Sequence, residues 1–325
     1  MIRVPPALRR LPLLAACALA LSLADAPKPH FTLGVLRADG LLIPFASYDG
    51  DWSVPWPTSL RNVTLPISLR DVEPKWWGAA GPDAAWTAVL QDGRKRALQL
   101  LGLRQTRVFC TSRLGVQTDH IGAPASPEDP TVAKDGLAIA GDAALLPIER
   151  VAKSSPDWGA MTREIAKKFE QAEDAAADNF TNWKHPYKAA QRRTYPIQLE
   201  ALYRSNEQTK RGAWRVSYVE AVRTFPARPE DKGCGLITYA SGWVLERDGH
   251  EPKIALHARV AYCDRNEVAF MQPFGRIVVQ DEVYWVYQVS SWSDEAYAVA
   301  RVRPAGVDPV VVTMGGRDCK AEGRR

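Results

Sequence analysis

Two aspartates and four tryptophans in the first quarter of the chain are the first residues whose types suggest chemistry. They are Asp49, Asp51, Trp52, Trp56, Trp76 and Trp77. Carboxylates beside aromatic rings are side chains with which proteins bind and hydrolyse sugars. The alternative is structural: Asp-Gly-Asp forms a turn and the tryptophans bury its base, and the sequence favours this alternative. Two carboxylates also fall short of the roughly six to eight oxygens that Ca²⁺ takes, so no metal site is predicted.

Glu220 is the third carboxylate that could do chemistry. It continues an alternation of apolar residues from Trp214 to Val222, which places it on the apolar face of a strand. Burial raises the pKa of a carboxyl group and suits it to general acid catalysis. The simpler interpretation, which the sequence favours, is an acid paired with Arg223 or Arg259, or a strand end where Glu220 reaches water.

No standard catalytic or cofactor motif accompanies these residues. The chain contains no G-x-S-x-G, no H-E-x-x-H, no Walker loop and no strand followed by G-x-G-x-x-G. The sequence therefore favours a non-enzymatic binding or interaction protein, and no cofactor is predicted. A hydrolase that acts on an envelope or extracellular polymer with scattered carboxylates is the alternative.

The N-terminus has the pattern of a secretory signal. Arg9 and Arg10 precede an apolar run over 11–23, and Ala24 supplies the small residue before the expected cut. We therefore expect residues 1–24 to be a signal peptide and the protein to be periplasmic or secreted. The alternative is a lipoprotein subunit of an envelope assembly, acylated at Cys17, although the apolar run continues past that cysteine.

Removal of this leader changes the charge argument. Its three arginines account for most of the formal charge of +5, so the mature chain would carry about +2. This value does not favour a nucleic-acid partner. No later apolar stretch reaches the roughly 18 residues of a membrane helix, so no transmembrane helix is predicted in the mature chain. A carbohydrate or an envelope protein is the partner class that remains.

Four cysteines would remain after processing, an even number that favours two disulfides in an oxidising compartment. The segments 236–247 and 253–262 form a predicted hairpin in which residue i pairs with residue 497 minus i, so that Ile237 faces Val260. This register brings Cys234 opposite Cys263, and the pair is predicted to form a disulfide. Cys110 and Cys319 are then paired by elimination.

One long amphipathic helix is predicted near 156–178. Ser155 is a suitable N-cap and Pro156 suits the first helical position. Apolar residues from Trp158 to Ala176 recur at three- and four-residue steps and form a stripe for packing on a sheet.

The remaining chain is predicted to be mainly β, with antiparallel sheets in a sandwich-like or meander arrangement. The expected regions are an N-terminal β region (25–152), a helix and connector (153–193) and a C-terminal antiparallel β region (194–325). Four short strands in the last 45 residues form a meander. Since a four-stranded meander is also one blade of a propeller, a β-propeller is the alternative fold.

Overall fold

A computed structural model describes residues 29–57, 68–122, 134–178, 185–210, 212–228 and 234–317. The expected signal segment 1–24, Cys17 and Cys319 lie outside the described residues. The strands are β1 (His30–Arg37), β2 (Leu41–Asp49), β3 (Trp52–Ser53), β4 (Trp86–Leu90), β5 (Lys95–Leu98), β6 (Leu100–Val108), β7 (Thr111–Thr118), β8 (Lys134–Gly141), β9 (Glu149–Arg150), β10 (Gln198–Thr209), β11 (Gly212–Thr224), β12 (Leu236–Glu246), β13 (Lys253–Tyr262), β14 (Phe270–Val279), β15 (Glu282–Ser290), β16 (Asp294–Arg303) and β17 (Gly306–Arg317). The helices are α1 (Pro156–Asp178) and α2 (Ala189–Arg192), with 3-10 segments at Leu69–Asp71 and Pro74–Ala80.

The strands form three antiparallel sheets. The N-terminal sheet has the order β5-β4-β8-β1-β2-β7-β6, with β3 added beside β2. The helix-covered sheet has the order β13-β12-β11-β10-β9, and the central sheet has the order β14-β15-β16-β17. The prediction of a mainly β, antiparallel protein is confirmed.

The central sheet is buried on both faces. On β15, Tyr284 and Val286 pack against the N-terminal sheet, whereas Val283 and Trp285 pack against the helix-covered sheet. This explains why β15 reads as an almost continuous apolar run, since a strand covered on both sides has no solvent-facing positions. The predicted meander is therefore the middle layer of a sandwich, and the three sheets stack face to face instead of repeating as propeller blades.

Helix α1 covers the outer face of the helix-covered sheet and has the predicted bounds. The amide of Asp157 donates to Ser155 Oγ over 3.3 Å, which caps the first turn as the sequence indicates. Met161, Ile165 and Phe169 are buried against strands β10 to β13. The apolar stripe thus serves packing.

The register of the β12–β13 hairpin differs from the prediction by one residue. Ile237 pairs with Ala261 and not with Val260, and this shift runs along the whole hairpin. The prediction assumed one buried face for β12, but this strand is covered by α1 on one face and by the central sheet on the other. Because both faces are buried, apolar alternation alone does not select between the two registers.

The Cys234–Cys263 disulfide is nevertheless present. The two Cα atoms are 5.6 Å apart, and the amide of Cys263 donates to the carbonyl of Gly235 over 2.9 Å. The bond lies just beyond the regular ladder, where a one-residue offset does not prevent closure.

Cys110 lies beside Arg317, whose carbonyl oxygen accepts a hydrogen bond of 2.9 Å from the Cys110 amide. Arg317 is two residues before Cys319 in the sequence. The Cys110–Cys319 disulfide stays a prediction, because Cys319 lies outside the described residues.

The predicted N-terminal and C-terminal β regions are in extensive contact. The central sheet shares a core with the N-terminal sheet, and Arg113 donates to the carbonyl of Gly315 over 2.7 Å across it. Strand β9 pairs with β10, so the segment that precedes α1 also joins the helix-covered sheet. As a result, the β4–β5 hairpin, the segment before β9 and strand β14 lie next to one another at the junction of the three sheets.

Candidate functional site

Asp49 and Asp51 lie at an exposed end of the N-terminal sheet. Asp49 Oδ1 is 2.7 Å from His30 Nδ1, and its amide donates to the carbonyl of Asp51 over 3.2 Å. Both carboxylates are exposed to solvent. Asp49 and Asp51 therefore belong to a solvent-exposed turn, as the structural alternative of the sequence analysis predicted.

The four tryptophans lie on opposite faces of the N-terminal sheet. Trp56 and Trp77 are buried behind its outer face with ring centroids 5.3 Å apart, and half-buried Trp76 packs on the edge of Trp56. Trp52 lies on the inner face, where its ring centroid is 5.2 Å from that of Tyr284 on the central sheet. The structure therefore brings three of the four rings together and separates Trp52 from them.

A cavity of about 460 Å³ lies where the three sheets meet. The apolar part of its lining comes mainly from the segment before β9, from the β4–β5 hairpin and from β14. These residues are Val89, Leu90, Leu145, Leu146, Pro147, Ile148, Pro273 and Phe274. Polar groups enter from Gln91, Lys95, Arg150, Tyr203 and Gln272. We call this cavity the inter-sheet pocket.

A bulge in β14 lies beside this pocket. The pairing of β14 with β15 shifts between Pro273 and Gly275, and next to the shift Leu146 and Arg276 exchange two backbone hydrogen bonds of 2.8 Å. A Cβ atom on Gly275, whose φ is +153°, would lie 2.6 Å from Leu145 Cγ, so this close approach requires glycine. Bulges of this kind redirect side chains beside binding sites.

The pocket is electropositive. Its charged lining residues are Lys95 and Arg150, both exposed to solvent, and no carboxylate is among its lining residues. Within the described part of the chain, neither cation forms a salt bridge. The Tyr203 hydroxyl is held protonated beside them, because burial raises its pKa and the nearby Glu220 raises it further. The pocket thus presents two cations and a hydrogen-bond donor next to an apolar wall.

Glu220 lies directly behind this wall. Only 4% of its surface is exposed, and its Oε1 accepts a hydrogen bond of 2.7 Å from the amide of Met271, whose next neighbour along β14 lines the pocket. Burial raises the pKa of Glu220 to about 7, while the Met271 amide, Tyr239 and Arg150 favour its charged form. Neither predicted arginine partner is the cation that acts on it; the nearby cation is Arg150.

The structure does not bring Glu220 together with Asp49 and Asp51. Glu220 faces the central sheet from the helix-covered sheet, whereas the two aspartates belong to the N-terminal sheet on the other side. The residues that line the pocket beside Glu220 were not predicted from the sequence, since Lys95, Arg150 and Tyr203 come from separate segments. One usable signal was Gly275 inside a strand pattern, which is typical of a bulge.

Within the described residues, no three His, Cys, Asp or Glu side chains are grouped as metal ligands. None of the helices in that part of the chain is both long enough and apolar enough to cross a membrane. No family model, curated protein or solved structure matches the chain. The fold and the site therefore define an antiparallel β protein of three stacked sheets with a cationic pocket at their junction.

Proposed function

We propose that this protein is an exported binding protein whose inter-sheet pocket takes a small amphipathic anion. The observation that carries the proposal is the placement of two cations, Lys95 and Arg150, at the rim of an apolar cavity without any lining carboxylate. Neither cation forms a salt bridge with another residue that the structure describes. An anionic head group would lie between these cations and the Tyr203 hydroxyl. The apolar body would pack on the wall formed by Leu146, Ile148 and Phe274 and their neighbours.

The size of the pocket supports a ligand of this class. Its volume of about 460 Å³ falls within the roughly 300–1,000 Å³ of small-molecule sites, which are lined mainly by apolar groups with a few placed polar ones. A long polymer would require an extended groove instead. The hydrolase alternative has less support, because Glu220 and the two aspartates of the sequence analysis lie on different sheets.

Fluorescence titration with 1-anilinonaphthalene-8-sulfonate tests the proposal. This dye combines an apolar ring system with a sulfonate, and octyl sulfate serves as a competitor of the same chemical class. Arg150→Gln removes one charge-assisted contact, which corresponds to about a 10-fold weaker affinity. Arg107→Gln is the matched control, because Arg107 is an exposed arginine on β6 at the opposite edge of the N-terminal sheet.

Saturable dye binding that octyl sulfate displaces, weakened by Arg150→Gln and unchanged by Arg107→Gln, is the expected result. Equal affinity of the two variants would refute the proposed site. A dye signal that octyl sulfate fails to displace would refute it as well.

Export of this protein is part of the same proposal. It is supported by the leader-like segment 1–24 and by the Cys234–Cys263 disulfide, which is typical of oxidising compartments. Acylation at Cys17 is the alternative that would place the binding protein on a membrane surface. A carbohydrate or envelope-protein partner has less support, because Trp56 and Trp77 are buried.

A further inference from the structure

Glu220 is surrounded by polar groups from every strand packed around it. Tyr203 and Glu200 approach from β10, Tyr218 lies two residues away on β11, and Tyr239 and Ser241 belong to β12. The amide of Met271 comes from β14, and Arg150 comes from β9. Arg265 neutralises Glu200 through two hydrogen bonds of 2.6 and 2.7 Å. Arg150 is thus the cation that faces Glu220 from the pocket.

We propose that binding of an anion in the inter-sheet pocket is coupled to the protonation of Glu220. The inference rests on the proposed function, because it assigns a second, proton-binding group to the same site. The coupling passes through Arg150, which lines the pocket and is the register partner of Tyr203 in the β9–β10 ladder. Tyr203 lies two residues along β10 from Ala201, the register partner of Glu220. The site would therefore bind an anion in the pocket and a proton on Glu220 together.

The direction of the coupling follows from the charges. In the empty pocket, the positive charge of Arg150 favours the ionised form of Glu220. A bound anion offsets that charge and adds a negative charge near a carboxylate that is 4% exposed, so the ionised form becomes less favourable. Since the pKa of Glu220 already lies at about 7, its further rise draws a proton from solution near neutral pH. By linkage, the anion binds more tightly as the pH falls.

The other titratable groups around the site do not produce this effect. The pKa values of Tyr218 and Tyr239 are raised by burial, so both phenols stay protonated throughout the neutral range. No histidine is among the residues that line the pocket. A sulfonate or sulfate probe keeps its charge at all these pH values, so a pH-dependent affinity must come from the protein.

The dissociation constant of the dye should therefore decrease from pH 8.5 to pH 5.5. We expect the affinity to be about 3- to 10-fold tighter at the lower pH, because the rise in the pKa of Glu220 and the gain in affinity are the same coupling free energy. Calorimetry near pH 7 in bis-Tris and in Tris measures the proton uptake of the unaltered protein directly. The two buffers release protons with different enthalpies, so net uptake appears as a difference in observed heat.

Glu220→Gln keeps an oxygen for the Met271 amide and removes the titration. We expect this variant to bind the dye with a constant affinity across the pH range, close to that of the wild type at pH 5.5. Glu251→Gln, an exposed glutamate in the β12–β13 turn, is the matched control and should keep the wild-type pH dependence. Circular dichroism at both pH values verifies that each variant is folded.

The outcomes separate this inference from the proposed function. If the dye binds in an Arg150-dependent way with the same affinity at pH 5.5 and 8.5, the pocket stands and the proton coupling is wrong. A pH dependence that Glu220→Gln retains, or equal heats in the two buffers, would also refute the coupling. If Arg150→Gln has no effect on the affinity for the dye, the proposed function is refuted, and the coupling that rests on it is refuted as well.

Discussion

The buried ion pair between α1 and the helix-covered sheet offers a sharp test of how this fold is stabilised. Arg223 donates through Nη1 to Glu173 Oε2, and the two side chains are 2% and 1% exposed. Arg192 approaches the same carboxylate, with its Nε 3.6 Å from Oε2. The substitution Arg223→Leu would leave Glu173 buried with a single, more distant cation.

The expected loss of stability follows from this geometry. Removal of one partner of a buried ion pair costs about 3–5 kcal/mol, because the remaining charge is desolvated without compensation. Since Arg192 still lies near Glu173, we expect the lower end, about 3 kcal/mol. A loss of this size corresponds to a decrease of roughly 6–12 °C in melting temperature for a chain of this order of length.

The pH dependence of this loss distinguishes an unpaired charge from lost packing. Burial raises the pKa of Glu173, and the charge of Arg223 opposes that rise, so the variant should have a still higher pKa at Glu173. A carboxyl group whose pKa is raised by folding binds a proton more strongly in the folded state. It therefore costs stability as the pH rises through the folded pKa. The deficit of Arg223→Leu should be larger at pH 8 than at pH 5.

Scanning calorimetry and urea denaturation at both pH values measure this deficit. Arg163→Leu, at an exposed position of the same helix, is the control and should change the free energy of unfolding by less than about 0.5 kcal/mol. The double variant Glu173→Leu/Arg223→Leu should recover most of the loss, because no unpaired charge remains. A deficit below about 1 kcal/mol at pH 8, or one that is equal at both pH values, would refute the argument.

Two further predictions concern the covalent state of the chain. Cys263→Ser should lower the free energy of unfolding by about 3.5 kcal/mol, the loop-entropy estimate for a sequence separation of 29; a denaturation midpoint that matches the wild type under oxidising conditions would contradict it. If the proposed export takes place, the intact mass of the processed protein should correspond to a chain that begins at Asp25. A mass that instead retains Cys17 with added acyl groups would establish the lipoprotein alternative.

Much of the local structure was predictable because short-range interactions determine it. The bounds of α1 followed from its N-cap at Ser155 and its apolar spacing. The turn at Ala38-Asp39-Gly40, where Gly40 has a φ of +77°, joins β1 to β2 through interactions that are just as local. The burial of Glu173 on the same helix was not predicted, because a charged residue in the apolar stripe is explained only by the arginines that the tertiary structure brings to it.

The candidate site was predictable only in part. The alternation around Glu220 correctly indicated a buried carboxyl group, and its raised pKa agrees with that placement. The cation near it was not predicted, since Arg150 belongs to a two-residue strand with no signal of its own. The tryptophans illustrate the converse: their clustering in sequence suggested a shared surface, whereas the N-terminal sheet lies between Trp52 and the other three.

The sequence by itself determined the mainly β, antiparallel class, the long helix α1 and the Cys234–Cys263 bond. Each of these depends on residues close in the chain or on one hairpin, where spacing and turn residues carry the information. Only the tertiary structure decided the β12–β13 register, the burial of the central sheet on both faces and the inter-sheet pocket. These depend on which surfaces cover a strand from outside. The pocket lies where β14 with its bulge near Gly275, the segment before β9 and the β4–β5 hairpin meet at the junction of the three sheets.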